Sequence, residues 1–329
     1  MNIFKYLDNC KVMSTVRQED DEQAWLTART KGIGGSDVGP ICGVSPFSSA
    51  RQVYLRKTGQ FTDALQPGAE AQERMHFGHM LEPIVADEFA LRTGKRLVTA
   101  DATLQHKDYP WALANVDRFI VDDEGKPIGV LECKTSSEYM NEEWASGEIL
   151  LTYLYQLNWY LWITGLEYGA FACLVGGNKF YYYEVYRNDE LLKNTIIPQA
   201  ENFWLNNVCA LKEPELQASD SDFAKETYSE VIKNSEIFFE DDTTNDIMRT
   251  VFDCKTKIKE LEGILEEAQN KLKDRLKENE IGYSKDFVVK WSPRSQTRVD
   301  TTALKTNFPE VYEQCKTTTS FRVMTVKGA

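Results

Sequence analysis

An aspartate, followed fifteen residues later by a glutamate and, two positions on, a lysine, is the group in this chain best suited to chemistry. The three are Asp117, Glu132 and Lys134, within the stretch VDRFIVDDEGKPIGVLECK at 116–134. Residues 116–121 and 128–134 read as two short strands, and Asp122, Gly125 and Pro127 supply turn chemistry between them. Side chains alternate along a strand, so Glu132 and Lys134 share a face while Cys133 points away. A hairpin can then bring Asp117 alongside. Two carboxylates and an amine at a sheet end suit a metal-dependent phosphodiesterase, in which oxygens hold a hard divalent ion and the lysine lies by the scissile phosphate. On these three residues alone, a solvated hairpin with charged faces is the simpler reading.

The flanking elements would have to position that group. Residues 1–20 are polar and aperiodic and read as a loose arm. A helix starts near Glu22, with Trp25, Leu26 and Ala28 on its apolar side and Arg29 after them. The loop KGIGGSDVGPICGVSPFSS at 31–49 follows, with Ser36 and Asp37 as N-cap candidates for a short helix at 38–42. Loop amides ahead of a helix can seat an anion, and a plain turn fits equally well. Residues 49–58 read as a helix closed by Gly59, then a polar loop runs to about 74. The next helix, at 78–92, is ended by Gly94. Leu81, Ile84, Val85 and Phe89 form its expected buried face, and Glu82 sits at the edge of that face. Residues 95–104 read as one strand. The apolar run at 149–165 reads as a buried helix whose Gln156 needs a hydrogen-bond partner. A second hairpin at 168–185 and a helix at 188–206 complete an α/β or α+β core, a mixed central sheet flanked by helices.

The net charge of −13 runs against a protein that coats DNA by electrostatics alone. Its distribution is uneven: 212–249 hold 11 acids and 4 bases, whereas 285–329 hold 8 bases and 4 acids. At least 31 residues separate neighbouring cysteines among the seven, a spacing that excludes a compact zinc knuckle or clustered iron–sulfur motif and fits a reduced cytosol. His76 and His79 read as polar residues at a helix start. No run of about 18 apolar residues is present, nor a charged-then-apolar leader, so no membrane is expected. The expected divisions are an arm at 1–21, a core at 22–210, an acidic linker at 211–244 and a C-terminal part at 245–329. In that last part, Ile258, Leu261, Leu265, Ala268 and Leu272 track a heptad on a helix near 245–280. Such a helix either packs in a hairpin on its own chain or forms an oligomerising coil. Residues 287–291, 297–299 and 321–326 read as a small basic β unit.

Over about 22–205 the chain resembles the YqaJ-like viral recombinase family, the phage lambda exonuclease-like branch of the restriction-endonuclease-like PD-(D/E)xK nuclease superfamily. The resemblance is carried by features in order: Trp25, Arg29 and Ser36 with the Gly-Gly-Ser-Asp loop; Gly78 and Glu82 on a helix; Asp117; Glu132 and Lys134; and Gln156 in a tyrosine-rich helix. Val116 stands where the superfamily name has proline. The resemblance implies a 5′→3′ exonuclease on linear double-stranded DNA ends, working with a single-strand annealing protein in phage-type recombination. It also implies a homo-oligomer, a trimeric ring, in the cytoplasm of a bacterial host with a phage or prophage origin. By position, Glu82, Asp117, Glu132 and the Cys133 backbone carbonyl look like ligands of two Mg²⁺ ions, with Mn²⁺ as a substitute. Lys134 and Gln156 look like the groups that place the attacking water, and Arg29 and Ser36 like the pocket for a 5′-terminal phosphate. A restriction-like endonuclease is the rival within the fold, and it has no need of an end-phosphate pocket. An inactive DNA-binding scaffold is the rival outside it, and a decayed site should have lost one of its charged residues.

Overall fold

In the computed structural model, residues 3–16, 20–60, 66, 68–319 and 321–328 are described. They fall into two units, Met1–Tyr228 and Ser229–Ala329. The first unit contains β1 (Cys10–Ser14), β2 (Arg96–Thr99), β3 (Thr103–His106), β4 (Leu113–Ala114), β5 (Arg118–Val121), β6 (Pro127–Ser136), β7 (Tyr168–Val175) and β8 (Lys179–Tyr186). Its helices are α1 (Glu22–Thr30), α2 (Gly35–Ile41), α3 (Ala50–Lys57), α4 (Ala69–Thr93), α5 (Asn141–Ser146), α6 (Leu151–Thr164), α7 (Asp189–Leu191), α8 (Ile197–Phe203) and α9 (Ser221–Thr227).

The central sheet has the order β2-β5-β6-β7-β8, with β6 and β7 parallel and the other neighbours antiparallel. Each central strand is apolar on both faces, which requires a helix on each side. On one face Ile120, Leu131, Ala170 and Ala172 pack against Val85, Ala86 and Phe89 of α4. On the other, Phe119, Val130 and Phe171 pack against Leu157, Trp159 and Leu161 of α6. Glu132 and Lys134 follow the period of Val130 and so belong to the α6 face. The mixed sheet flanked by helices is therefore as expected, and the 35-residue helix α10 (Asp242–Leu276), the strand pair β9 (Ile281–Tyr283) and β10 (Val288–Lys290), α11 (Thr301–Asn307) and α12 (Pro309–Cys315) form the second unit.

Several local expectations are overturned. The supposed loose arm contributes Ile3, Leu7 and Cys10 to the core, and β1 pairs with β3 in a second sheet of order β1-β3-β4; residues 1, 2 and 17–19 of that arm lie outside the described residues. A strand completed by a distant partner leaves little local periodicity. Helix α4 begins at Ala69, nine residues before Gly78, because 69–74 hold strong helix formers; residues 61–65 and 67 of the expected loop lie outside the described set. Ile84 is 58% exposed, so the buried stripe of α4 is narrower than its sequence suggests. The strand expected at 95–104 is two strands in different sheets, split near Asp101, whose φ is 39°. The start of the acidic linker belongs to the first unit: Asp220 is 1% exposed and accepts hydrogen bonds from Ser49 and Gln52. Residues 297–299 and 321–326 are not strands.

Candidate functional site

Asp117 does not lie within a strand but immediately ahead of β5. From there its Oδ2 accepts a hydrogen bond from the Cys133 N–H at 2.8 Å, so the hairpin brings the aspartate beside Glu132 as expected. Glu132 is 2% exposed. Its Oε1 accepts from Lys134 Nζ at 2.7 Å and from Gln156 Nε2 at 2.5 Å, and Gln156 Oε1 accepts from Lys134 Nζ at 3.2 Å. These bonds satisfy the polar group that the buried α6 required. Glu82 reaches the same region from α4, and its Oε1 is 2.6 Å from Arg118 Nη1.

The electrostatics are those of an acid cluster short of positive charge. Burial raises the Asp117 carboxyl well above its usual range, and Glu132 and Glu82 push it further. Burial also raises Glu132, against the pull of Lys134 and Gln156, with Glu82 adding to the rise. At Lys134 burial opposes the charge, but Glu132 and Asp117 outweigh it and hold the ammonium above the usual lysine range. The ring of Tyr153 lies 4.7 Å from the same ammonium.

A hard divalent ion fits this donor set, because the donors are carboxylate oxygens and Glu132 Oε2 is buried with no hydrogen-bond partner. Among the described residues no three such side chains converge closely enough to hold a metal as they stand. Glu82, turned to Arg118, is one reason.

A second cluster forms around the glycine loop. Arg29 Nη2 donates to Ser36 Oγ at 2.8 Å, and its guanidinium lies 4.5 Å from the centre of the Trp25 ring. The N-cap of α2 is Gly34, not Ser36 or Asp37; Asp37 sits one turn in and accepts from the Gly34 N–H at 2.8 Å. The Ile33 N–H is likewise taken, by the Trp111 carbonyl at 2.7 Å. Two of the loop amides expected to face an anion are therefore engaged. Asp37 pairs with Lys57 Nζ at 2.6 Å, and the same ammonium donates to the Arg29 carbonyl at 2.7 Å. Burial would raise Asp37, but Lys57, Arg29 and Arg56 together hold it below its usual value. Lys57 thus ties the last turn of α1 to the first turn of α2 and fixes Arg29 against Ser36.

Tyr160 joins the two clusters. Its hydroxyl accepts from Gln156 Nε2 at 3.2 Å, and its ring packs against Gly35, where a Cβ would collide with it. A Cβ at Gly39 would meet Thr152 in the same way, so the two glycines of α2 are required for its close approach to α6. The Tyr160 hydroxyl is pushed well up by burial and by the charges of Glu132 and Asp117.

All the side chains singled out in the sequence fall into these two clusters. Arg118, Tyr160, Tyr153 and Lys57 were missed. Arg118 adjoins Asp117 and Tyr160 stands four residues after Gln156, so both carried a positional signal; Lys57 carried none.

The profile of the YqaJ-like viral recombinase domain matches residues 24–167, which span Arg29 through Gln156. The uncharacterised protein YqaJ of Bacillus subtilis (strain 168) is 37% identical over 314 residues, covering 94% of this chain and 95% of that protein. The chain belongs to the YqaJ-like viral recombinase family. Within this family assignment the match to the Bacillus protein extends through the second unit, which the domain profile does not reach. Two solved structures show more distant similarity. An alkaline exonuclease from Laribacter hongkongensis is 18% identical with a TM-score of 0.47, covering 58% of this chain and 94% of that one. A phage-related exonuclease from Haemophilus somnus 129PT is 10% identical with a TM-score of 0.42, covering 57% and 99%. Among the described residues no helix is long and apolar enough to cross a membrane.

Proposed function

We propose that this recombinase-family chain is a metal-dependent 5′→3′ exonuclease that degrades linear double-stranded DNA and leaves 3′ single strands for an annealing protein. The observation that carries the reading is the adjacency, through Tyr160, of a buried acid cluster and a basic cluster. A DNA end offers the matching pair: a scissile phosphodiester to be hydrolysed with cations, and a terminal phosphate to be held by a guanidinium.

In this reading Glu82, Asp117, Glu132 and the Cys133 carbonyl hold two Mg²⁺ ions, with Mn²⁺ able to serve. When bound, the ions activate water and offset charge on the leaving oxygen. Glu82 would serve as a ligand once released from Arg118, whose guanidinium would then be available to DNA phosphate. Gln156 fixes Glu132 through one oxygen, leaving Oε2 for an ion. Lys134, held charged, stands by the attacked phosphate and the water. Arg29 and Ser36 grip the 5′-terminal phosphate and so set the register of cleavage from the end. The proposal includes DNA ends as substrate, a homo-oligomer (a trimeric ring by the family resemblance) and action in the cytoplasm of a bacterial host.

The test uses linear duplex DNA labelled at one 5′ end beside a covalently closed circle, with and without Mg²⁺. Mg²⁺-dependent loss of label from the linear DNA, with the circle intact, is the expected result. Cutting of the circle would replace the exonuclease with an endonuclease, and no cleavage in Mg²⁺ or Mn²⁺ would end the enzymatic reading.

A further inference from the structure

The loop between α2 and α3 carries an aromatic side chain that the core does not absorb. Phe47 is 66% exposed, although its loop is held at both ends. Ser45 and Ser49 on either side are buried, and Ser45 Oγ accepts from the Phe47 N–H at 3.2 Å. Ser49 caps α3 and donates to Asp220, whose carboxylate also accepts from Gln52. Pro46 fixes φ at the position before the ring. A single exposed phenylalanine is ordinary on a protein surface; its neighbours set this one apart. Its ring lies 6.3 Å from that of Tyr153 at an interplanar angle of 22°, and Tyr153 lies 6.4 Å from the buried Trp144 at 28°. The Tyr153 ring is also the one beside the Lys134 ammonium of the acid cluster. On the other side, Ser48 Oγ accepts from Arg56 Nη2 at 3.0 Å, and Arg56 feels the charges of Asp37 and Arg29 in the basic cluster. Phe47 therefore borders both clusters, at the solvent end of a row of near-parallel rings that begins in the core at Trp144.

We propose that Phe47 is the stacking platform for the base of the 5′-terminal nucleotide. This rests on the function proposed above, in which the basic cluster holds the terminal phosphate and the acid cluster the scissile phosphodiester. With the first phosphodiester as the scissile one, a single nucleotide spans the two clusters, and its base is the part that neither cluster addresses. A base drawn out of the duplex loses its stacking partners, and an aromatic ring on a fixed mount replaces them. Tyr153 backs Phe47 and Trp144 backs Tyr153, so the platform is stiff. Stacking engages the π-face common to all four bases, so the platform holds any terminal nucleotide without reading its sequence. That is what stepwise removal of nucleotides from arbitrary DNA needs.

The test uses the full-length chain and two duplexes that each carry one unpaired, phosphorylated 5′ nucleotide, either with its base or as an abasic tetrahydrofuran residue. Neither has a base pair to break. With Ca²⁺ in place of Mg²⁺, competition between the two ends reads binding without cleavage. Wild type should favour the end with a base about tenfold, or about 1.4 kcal/mol, the scale of a base stacked on an aromatic ring. Phe47→Ala should abolish that difference while keeping the preference for a 5′-phosphate over a 5′-hydroxyl, and Phe47→Trp should retain both. Equal affinity of wild type for the two ends would overturn the proposal, as would a Phe47→Ala variant that still distinguishes them. Loss of the 5′-phosphate preference in Phe47→Ala would also overturn it, by assigning the ring to holding the loop. A wild type that selects the base in Ca²⁺ but cleaves nothing in Mg²⁺ would end the exonuclease reading and leave the platform standing.

Discussion

The two clusters on either side of Tyr160 are built from the same materials with opposite balances. In one, Glu82, Asp117 and Glu132 outnumber Arg118 and Lys134. In the other, Arg29, Arg56 and Lys57 outnumber Asp37. A buried ion pair is weak evidence for stability, since taking charge out of water costs more than pairing returns unless the geometry is good. An unbalanced cluster is costlier still. The difference teaches that the two clusters carry opposite charge imbalances, which the function proposed above assigns to a cation at the first and an anion at the second.

The variants that would break or sharpen this contrast differ in size. Lys134→Ala should have the largest effect, lowering cleavage more than about a hundredfold, or about 2.7 kcal/mol, while DNA is still bound; single-turnover hydrolysis reads it, and survival within about tenfold would remove the lysine from the chemistry. Next comes Arg29→Ala, which acts on the basic cluster. It should reduce the preference for 5′-phosphorylated over 5′-hydroxyl ends from about tenfold or more to none, the loss of a charge-assisted contact. Competition between the two ends measures it, and a variant that still discriminates would put the phosphate elsewhere.

Arg118→Met acts on the acid cluster in the opposite sense, by removing a cation that occupies Glu82. Metal affinity should rise about tenfold, the scale of one charge-assisted bond, in a Mn²⁺ titration followed by paramagnetic resonance; unchanged or weaker affinity would show that Arg118 does not compete. The smallest effect concerns Asp37. Its folded carboxyl is held below the usual 3.8, so its charge favours the folded state above that value, and the contribution is lost as pH falls through the lower folded value. The gap in urea midpoint between wild type and Asp37→Asn should therefore be full at neutral pH and close as the solution is taken below 3.8. A gap independent of pH would assign the difference to packing.

The site was largely legible because it is written locally. Asp117, immediately ahead of β5, and Glu132 and Lys134 on β6 belong to one hairpin, and strand alternation alone orients two of them. Gln156 announced itself as a polar group in an apolar helix. Arg118 was not legible as a partner of Glu82, since that contact depends on how α4 crosses the sheet. The glycine loop was misread in detail for a related reason. Its glycines serve the packing of α2 on α6 as much as backbone freedom, and two of its amides are spent on Asp37 and Trp111. Likewise, β1 depends on a partner about ninety residues away, and no local spacing marks Ile3, Leu7 and Cys10 as its buried residues.

By itself the sequence determined the two hairpins and the long helices of the core, the alternation that sends Glu132 and Lys134 to one face, and the heptad of α10, because each follows from spacing within one element. Only the tertiary structure decided the opposite charge balances of the two clusters and their meeting at Tyr160, the capture of Glu82 by Arg118 and the tie made by Lys57. Those depend on how α2, α4 and α6 lie against the sheet, where burial sets how strongly each charge is felt, and no local pattern encodes that distance.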